Sequence, residues 1–126
     1  MNMKNIFVVF VFLVLLFPAC KKEAGIGGKK TITGTVTYKN GATAVFEIAN
    51  AATVHIAYGT TTFSSAYDQS VVAGVDGTYH FDGLKKGDYF ISGEFTDVHG
   101  FKYVTGGYSV TVKDEKEKLI VDIKLQ

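Results

Sequence analysis

Arginine and tryptophan are both missing from this 126-residue chain, and cysteine and proline occur once each. Proteins that grip nucleic acid neutralise backbone phosphates with a basic patch. A chain without arginine and with a formal net charge of only +1 offers none, so no nucleic-acid partner is expected. A single cysteine cannot pair with itself, so any folded unit here is held by packing without a disulfide. No stretch carries the 3.6-residue apolar period of an amphipathic helix. The longest apolar run, residues 6–17, would rise only about 18 Å as a helix, whereas a bilayer core needs roughly 20 residues. No serine sits in Gly-x-Ser-x-Gly, and no Asp-x-Asp-x-Asp loop gathers oxygen ligands for calcium. His55, His80 and His99 are the only histidines, while a zinc site needs three or four ligands converging on one point. The chain therefore reads as having no catalytic residues, no metal and no cofactor.

What stands at the N-terminus is more telling. Lys4 precedes twelve consecutive Ile, Phe, Val and Leu residues, and Pro18 and Ala19 follow them. A positive start, a short apolar stretch and a small-residue exit describe a helical export signal over residues 1–19. Directly behind it comes Cys20. The arrangement resembles a bacterial lipoprotein signal, in which this cysteine becomes the acylated first residue of the mature protein. Ala19 fits the small position of that box, Phe17 and Pro18 depart from its strict form, and Lys21-Lys22-Glu23 resembles lipoproteins of the Bacteroidota. The resemblance implies lipidation at Cys20 and residence in the cell envelope, with the membrane as partner through the anchor. Two or more acyl chains, at about 0.8 kcal/mol per buried methylene, hold a protein essentially permanently. Residues 20–30, with their Gly25-Ile26-Gly27-Gly28, read as a flexible tether.

Residues 31–126 suit one domain. They hold eight lysines against eleven acidic residues, a balance of −3. The pattern is alternation with period two, the signature of half-buried strands. In residues 31–38, Ile32, Val36 and Tyr38 share one face and the threonines the other. The same alternation recurs in 53–59, 78–81, 89–95, 108–112 and 119–125. Turn formers separate the runs at Lys39-Asn40-Gly41, Asp76-Gly77, Lys85-Lys86-Gly87-Asp88 and His99-Gly100. Seven to eight short strands at this spacing predict an all-β, antiparallel β-sandwich. Tyr38, Tyr58, Tyr79, Phe81, Tyr89 and Phe95 are expected inside, with Leu84 plugging one end.

The stretch Asp76-Gly77-Thr78-Tyr79-His80-Phe81-Asp82-Gly83-Leu84-Lys85-Lys86-Gly87-Asp88-Tyr89-Phe90-Ile91, with Thr33-Gly34-Thr35-Val36 and Ala51-Ala52-Thr53-Val54 before it, resembles the carboxypeptidase regulatory-like family of transthyretin-like (prealbumin-like) sandwiches. Gly74-Val75-Asp76 stands where that family usually has Thr-Asp, and residues 42–52 replace its Pro-rich first hairpin. The resemblance implies a fold and little about activity. Transthyretin-like hydroxyisourate hydrolases depend on Arg, which this chain lacks. A Lys–Asn crosslink to the closing strand has no donor, since the last asparagine is Asn50.

Binding remains. Phe63, Tyr67, Phe101, Tyr103 and Tyr108 are left outside the expected core. Phe101 and Tyr103, beside His99, form the candidate ligand-binding surface; packing between strands is the plainer role for the same rings. The function expected is a lipid-anchored, non-enzymatic accessory or structural module with an envelope protein partner, or alternatively a surface carbohydrate-binding module.

Overall fold

A computed structural model describes residues 24–62, 66–113 and 118–126. The expected signal helix, Cys20 and Phe63 lie outside the described residues. Those described are all β, with no helix long and apolar enough to cross a membrane.

Among the described residues ten strands run β1 (Ile26–Lys39), β2 (Phe46–Ile48), β3 (Thr53–Tyr58), β4 (Gln69–Val72), β5 (Thr78–Leu84), β6 (Gly87–Thr96), β7 (Lys102–Val104), β8 (Tyr108–Val112), β9 (Lys118–Ile120) and β10 (Ile123–Leu125). They form two five-stranded sheets. In the first, the long β1 is flanked on one side by β5 and then β2, both antiparallel to it, and on the other by β9 and then β10. In the second, β6 lies between β3 and the pair β8 and β7, with β4 outside β3. The inner faces meet in a core where Ile32, Val54, Ile56, Phe81, Leu84 and Ile91 are all buried. The alternation read from residues 31–38, 78–81 and 89–91 thus points as expected, and Leu84 closes one end.

Three differences have physical causes. β9 and β10 run parallel to β1, so the sandwich is not purely antiparallel. The closing run is also broken in two at Val121 and Asp122. There the Val121 carbonyl turns in over Gly34, where an added Cβ would lie 1.9 Å from that oxygen. The Tyr79 hydroxyl donates to the same carbonyl at 2.5 Å, the Val121 amide donates to Thr33 O at 2.7 Å, and Asp122 Oδ1 accepts from the Thr35 amide at 2.9 Å. These bonds satisfy the backbone groups that the break would otherwise leave unpaired.

The third difference is at the start. β1 begins at Ile26, inside the 20–30 stretch read as a tether. Ala24 and Gly25 dock on the β5–β6 turn instead of trailing free. The Gly25 amide donates to the Tyr89 hydroxyl at 2.9 Å, that hydroxyl donates to Lys85 O at 2.6 Å, and the Lys85 amide donates to Gly25 O at 2.8 Å. Gly25 has φ of 133°, and a Cβ there would press on the Tyr58 ring at 3.3 Å.

Gly34→Ala is expected to cost about 3 kcal/mol or more, because a backbone carbonyl must move to admit the methyl group. Tyr79→Phe, which deletes only the hydroxyl, should cost about 1 kcal/mol. Urea denaturation of the two variants checks the order; equal losses would show that the approach over Gly34 is not the tight point.

Candidate ligand cleft at the loop end

The C-terminal ends of β1 and β6 lie at the same end of the sandwich, and each leads into a loop fixed by one short polar side chain. After β1, Asn40 Oδ1 accepts from the amides of Ala42 at 2.8 Å and Thr43 at 3.3 Å. The Asn40 amide donates to Val45 O, and the Ala44 amide donates back to Asn40 O. This is how Asn and Asp side chains nucleate turns. After β6, Asp97 does the same: its Oδ1 accepts from the amides of His99 and Phe101, both at 2.9 Å. Between the loops opens a cleft of about 630 Å³, lined among others by Asn40, Thr43, Asp97, His99, Phe101 and Gln126.

Beneath it lies an aromatic cluster. Tyr38 packs on Phe95 with ring centroids 4.6 Å apart and on Tyr103 at 4.9 Å. The Tyr103 hydroxyl donates to Asp97 Oδ2 at 3.3 Å and accepts from the Gly41 amide at 3.4 Å, tying both loops to the same ring. Mutual backbone bonds between Val104 and Gln126 close the side of the cleft.

The electrostatics follow from these contacts. Partial desolvation pushes the Asp97 carboxyl up. The amides of Phe101 and His99, the Tyr103 hydroxyl and the nearby His99 imidazole outweigh it and hold the group below its usual value. Hydrogen bonds from Asn40 and Tyr38 lower Glu47 in the same way, and the bond to Glu47 raises the Tyr38 phenol. Both loops are thus held by ionised or strongly polar acceptors at neutral pH.

Of the residues singled out in the sequence, His99, Phe101 and Tyr103 meet at this cleft. His99 and Phe101 are exposed, Phe101 by 66%. Tyr103 is not a surface ring: it is 8% exposed and belongs to the core cluster, because β7 turns it inward against Tyr38 and Phe95. Tyr38, Tyr58 and Phe95, expected inside, are half-buried at the sandwich ends. The asparagine loop was not anticipated as part of a site; Asn-Gly after a strand signals a turn, not what the turn faces.

The other histidines lie elsewhere. His80 is exposed beside Asp82 at 3.4 Å. His55 is not the solvated side chain expected: its ring stacks on Tyr67 at 4.6 Å, Nδ1 lies 2.6 Å from Ser70 Oγ, and Nε2 is 3.9 Å from Glu94. Cross-strand pairing with Ser70 on β4 covers it. Among the described residues no three His, Cys, Asp or Glu side chains come together as a metal site.

No protein-family model and no curated protein sequence matches the chain. Solved structures do. The major pilin subunit of Bacillus cereus, in a single-residue variant, superposes with a TM-score of 0.56 at 16% identity over 79% of this chain; the chain spans only 30% of that pilin. A candidate carbohydrate binding protein from Pseudomonas aeruginosa gives a TM-score of 0.56 at 16% identity, covering 85% of this chain and 93% of that one. At such identity the likeness concerns the fold, a β-sandwich.

The folded pKa of Asp97 lies below its unfolded value, so its contribution to stability is fully present above the ordinary carboxylate range and is lost as pH falls through the lowered value. Asp97→Asn should therefore be less stable than wild type at neutral pH, with the gap closing as pH falls through and below the lowered carboxylate value. Urea midpoints across that range check it; a gap independent of pH would mean the carboxylate charge plays no part.

Proposed function

We propose that this chain is a non-enzymatic β-sandwich lipoprotein of the cell envelope that binds carbohydrate at the loop-end cleft. The observation that carries the reading is the 66% exposed ring of Phe101 at the mouth of a cleft of about 630 Å³. An aromatic ring exposed at a concave site offers a flat apolar face that suits the apolar face of a sugar ring. The groups around it, Thr43, His99 and Gln126, include hydroxyl, imidazole and amide side chains of the kind that orient a ligand with many hydroxyls. The loops are clipped in place before any ligand arrives, which lowers the ordering cost of binding. The overall likeness to the Pseudomonas protein supports the reading at the level of fold.

The finer assignments belong to the same proposal. The Tyr79-to-Ile91 pattern supports a carboxypeptidase regulatory-like, transthyretin-like sandwich. Cys20 after its apolar run supports acylation, membrane attachment and an envelope location.

The test is glycan-array and calorimetric binding with the full detergent-solubilised protein, using soluble starch-type and mucin-type glycans. Phe101→Ala should weaken binding about tenfold by loss of ring contact, while Tyr103→Phe, buried beneath, should keep the fold and lose less. No binding on a broad array, together with recovery of one envelope protein by crosslinking, would replace the glycan reading by that of an accessory subunit.

A further inference from the structure

The docking of Ala24 and Gly25 fixes more than the start of β1. Gly25 is held through its amide by Tyr89 and through its carbonyl by Lys85, and Ala24 sits against Gly87, where an added Cβ would come within 3.0 Å of it. If Cys20 is acylated, as the functional reading above holds, residues 21–23 alone separate the anchor from the docked chain. Four residue steps span at most about 14 Å however they are arranged. The end of the sandwich that carries Gly25, Lys85 and Gly87 therefore cannot move away from the lipid surface. The cleft is at the opposite end, since β1 and β6 both run from this end to the loops at Asn40 and Asp97. β6 makes the same crossing in 10 residues, so the cleft stands roughly 30 Å further out.

We propose that the end built from the β5–β6 turn and the start of β1 is a membrane-apposed face whose partner is the layer of lipid headgroups, and that this contact holds the cleft outward. The chemistry of the face is compatible with that partner. Lys29, Lys85, Lys86 and Lys113 lie exposed there. Asp68, Asp82 and Asp88 at the same end already accept hydrogen bonds from the Tyr58 amide and from the hydroxyls of Thr31 and Thr111. Lysine charges near a surface favour anionic lipid, but the enforcing factor is the short tether, which keeps the face at high effective concentration against the membrane.

The test uses the full chain, exported and acylated, in vesicles of phosphatidylethanolamine and phosphatidylglycerol. Flotation with the vesicles is scored first, and labelling of each lysine by a water-soluble amine reagent second. The reference is the unanchored Cys20→Ala protein. Lys29, Lys85 and Lys86 should label several-fold more slowly on vesicles than in the reference, while Lys39 and Lys102 at the cleft end label equally in both. Inserting about twelve Gly and Ser residues between Glu23 and Ala24 lengthens the reach by roughly 20 Å and should restore full labelling without loss of flotation. Unchanged labelling of Lys85 and Lys86 in protein that floats would overturn the proposal while leaving the anchor intact. Protection that persists with the longer linker would overturn it as well. Wild-type protein that does not float would refute the anchor itself, and the proposal with it.

Discussion

The fold depends on the side-chain-free backbone at Gly34, over which the Val121 carbonyl lies closer than any Cβ could tolerate. That approach lets the chain cross from β9 to β10 while keeping both beside β1. The Tyr79 hydroxyl and the Asp122 carboxylate complete the crossing by taking up groups the strand pairing leaves over. With β9 and β10 on one side and β5 and β2 on the other, β1 is paired along most of its length, and the opposite sheet packs against a continuous inner face. A domain of this size without a disulfide needs such a thorough closure, because its core alone contributes little margin.

The cleft rests on the same economy of means. Two side chains of modest size, Asn40 and Asp97, each satisfy amides of their own loop, and one tyrosine hydroxyl bridges the two loops. Beneath them, Tyr38, Phe95 and Tyr103 form a stiff floor. Exposed aromatic surface on a stiff support contrasts with a mobile loop, where ordering on binding would offset much of the contact.

The strands that show strong alternation with β-branched and aromatic residues were legible from the sequence, and so was the direction of Tyr79, Phe81, Tyr89 and Ile91. β2, β4 and β7 were not. Each is only three or four residues long, too short for a period to register, and each owes its existence to a neighbour's unpaired edge. The site was legible in part. His99 and Phe101 stood out as ring-bearing residues in a turn, whereas Asn40 and Gln126 reach the cleft through long-range topology that no local pattern encodes. Tyr103 was misplaced for a related reason: in a three-residue strand, which face points inward is decided by the partner, here β6. The start of β1 was obscured by glycines, whose composition suggests slack. Gly25 serves instead to let the backbone close on the Tyr58 and Tyr89 rings.

The long β1 has a mechanical consequence. Its first residue lies at the end where the chain enters, its last at the mouth of the cleft, and the strands β5, β9 and β10 run alongside it in between. A load applied between those two ends would pull along the strand axis. Ladder bonds on both flanks would then be strained together in shear, rather than opened one at a time as when a strand is peeled from an edge. A grip made at the cleft would therefore enter through the loops and pass along β1 into the first sheet, where bonds on both flanks share it.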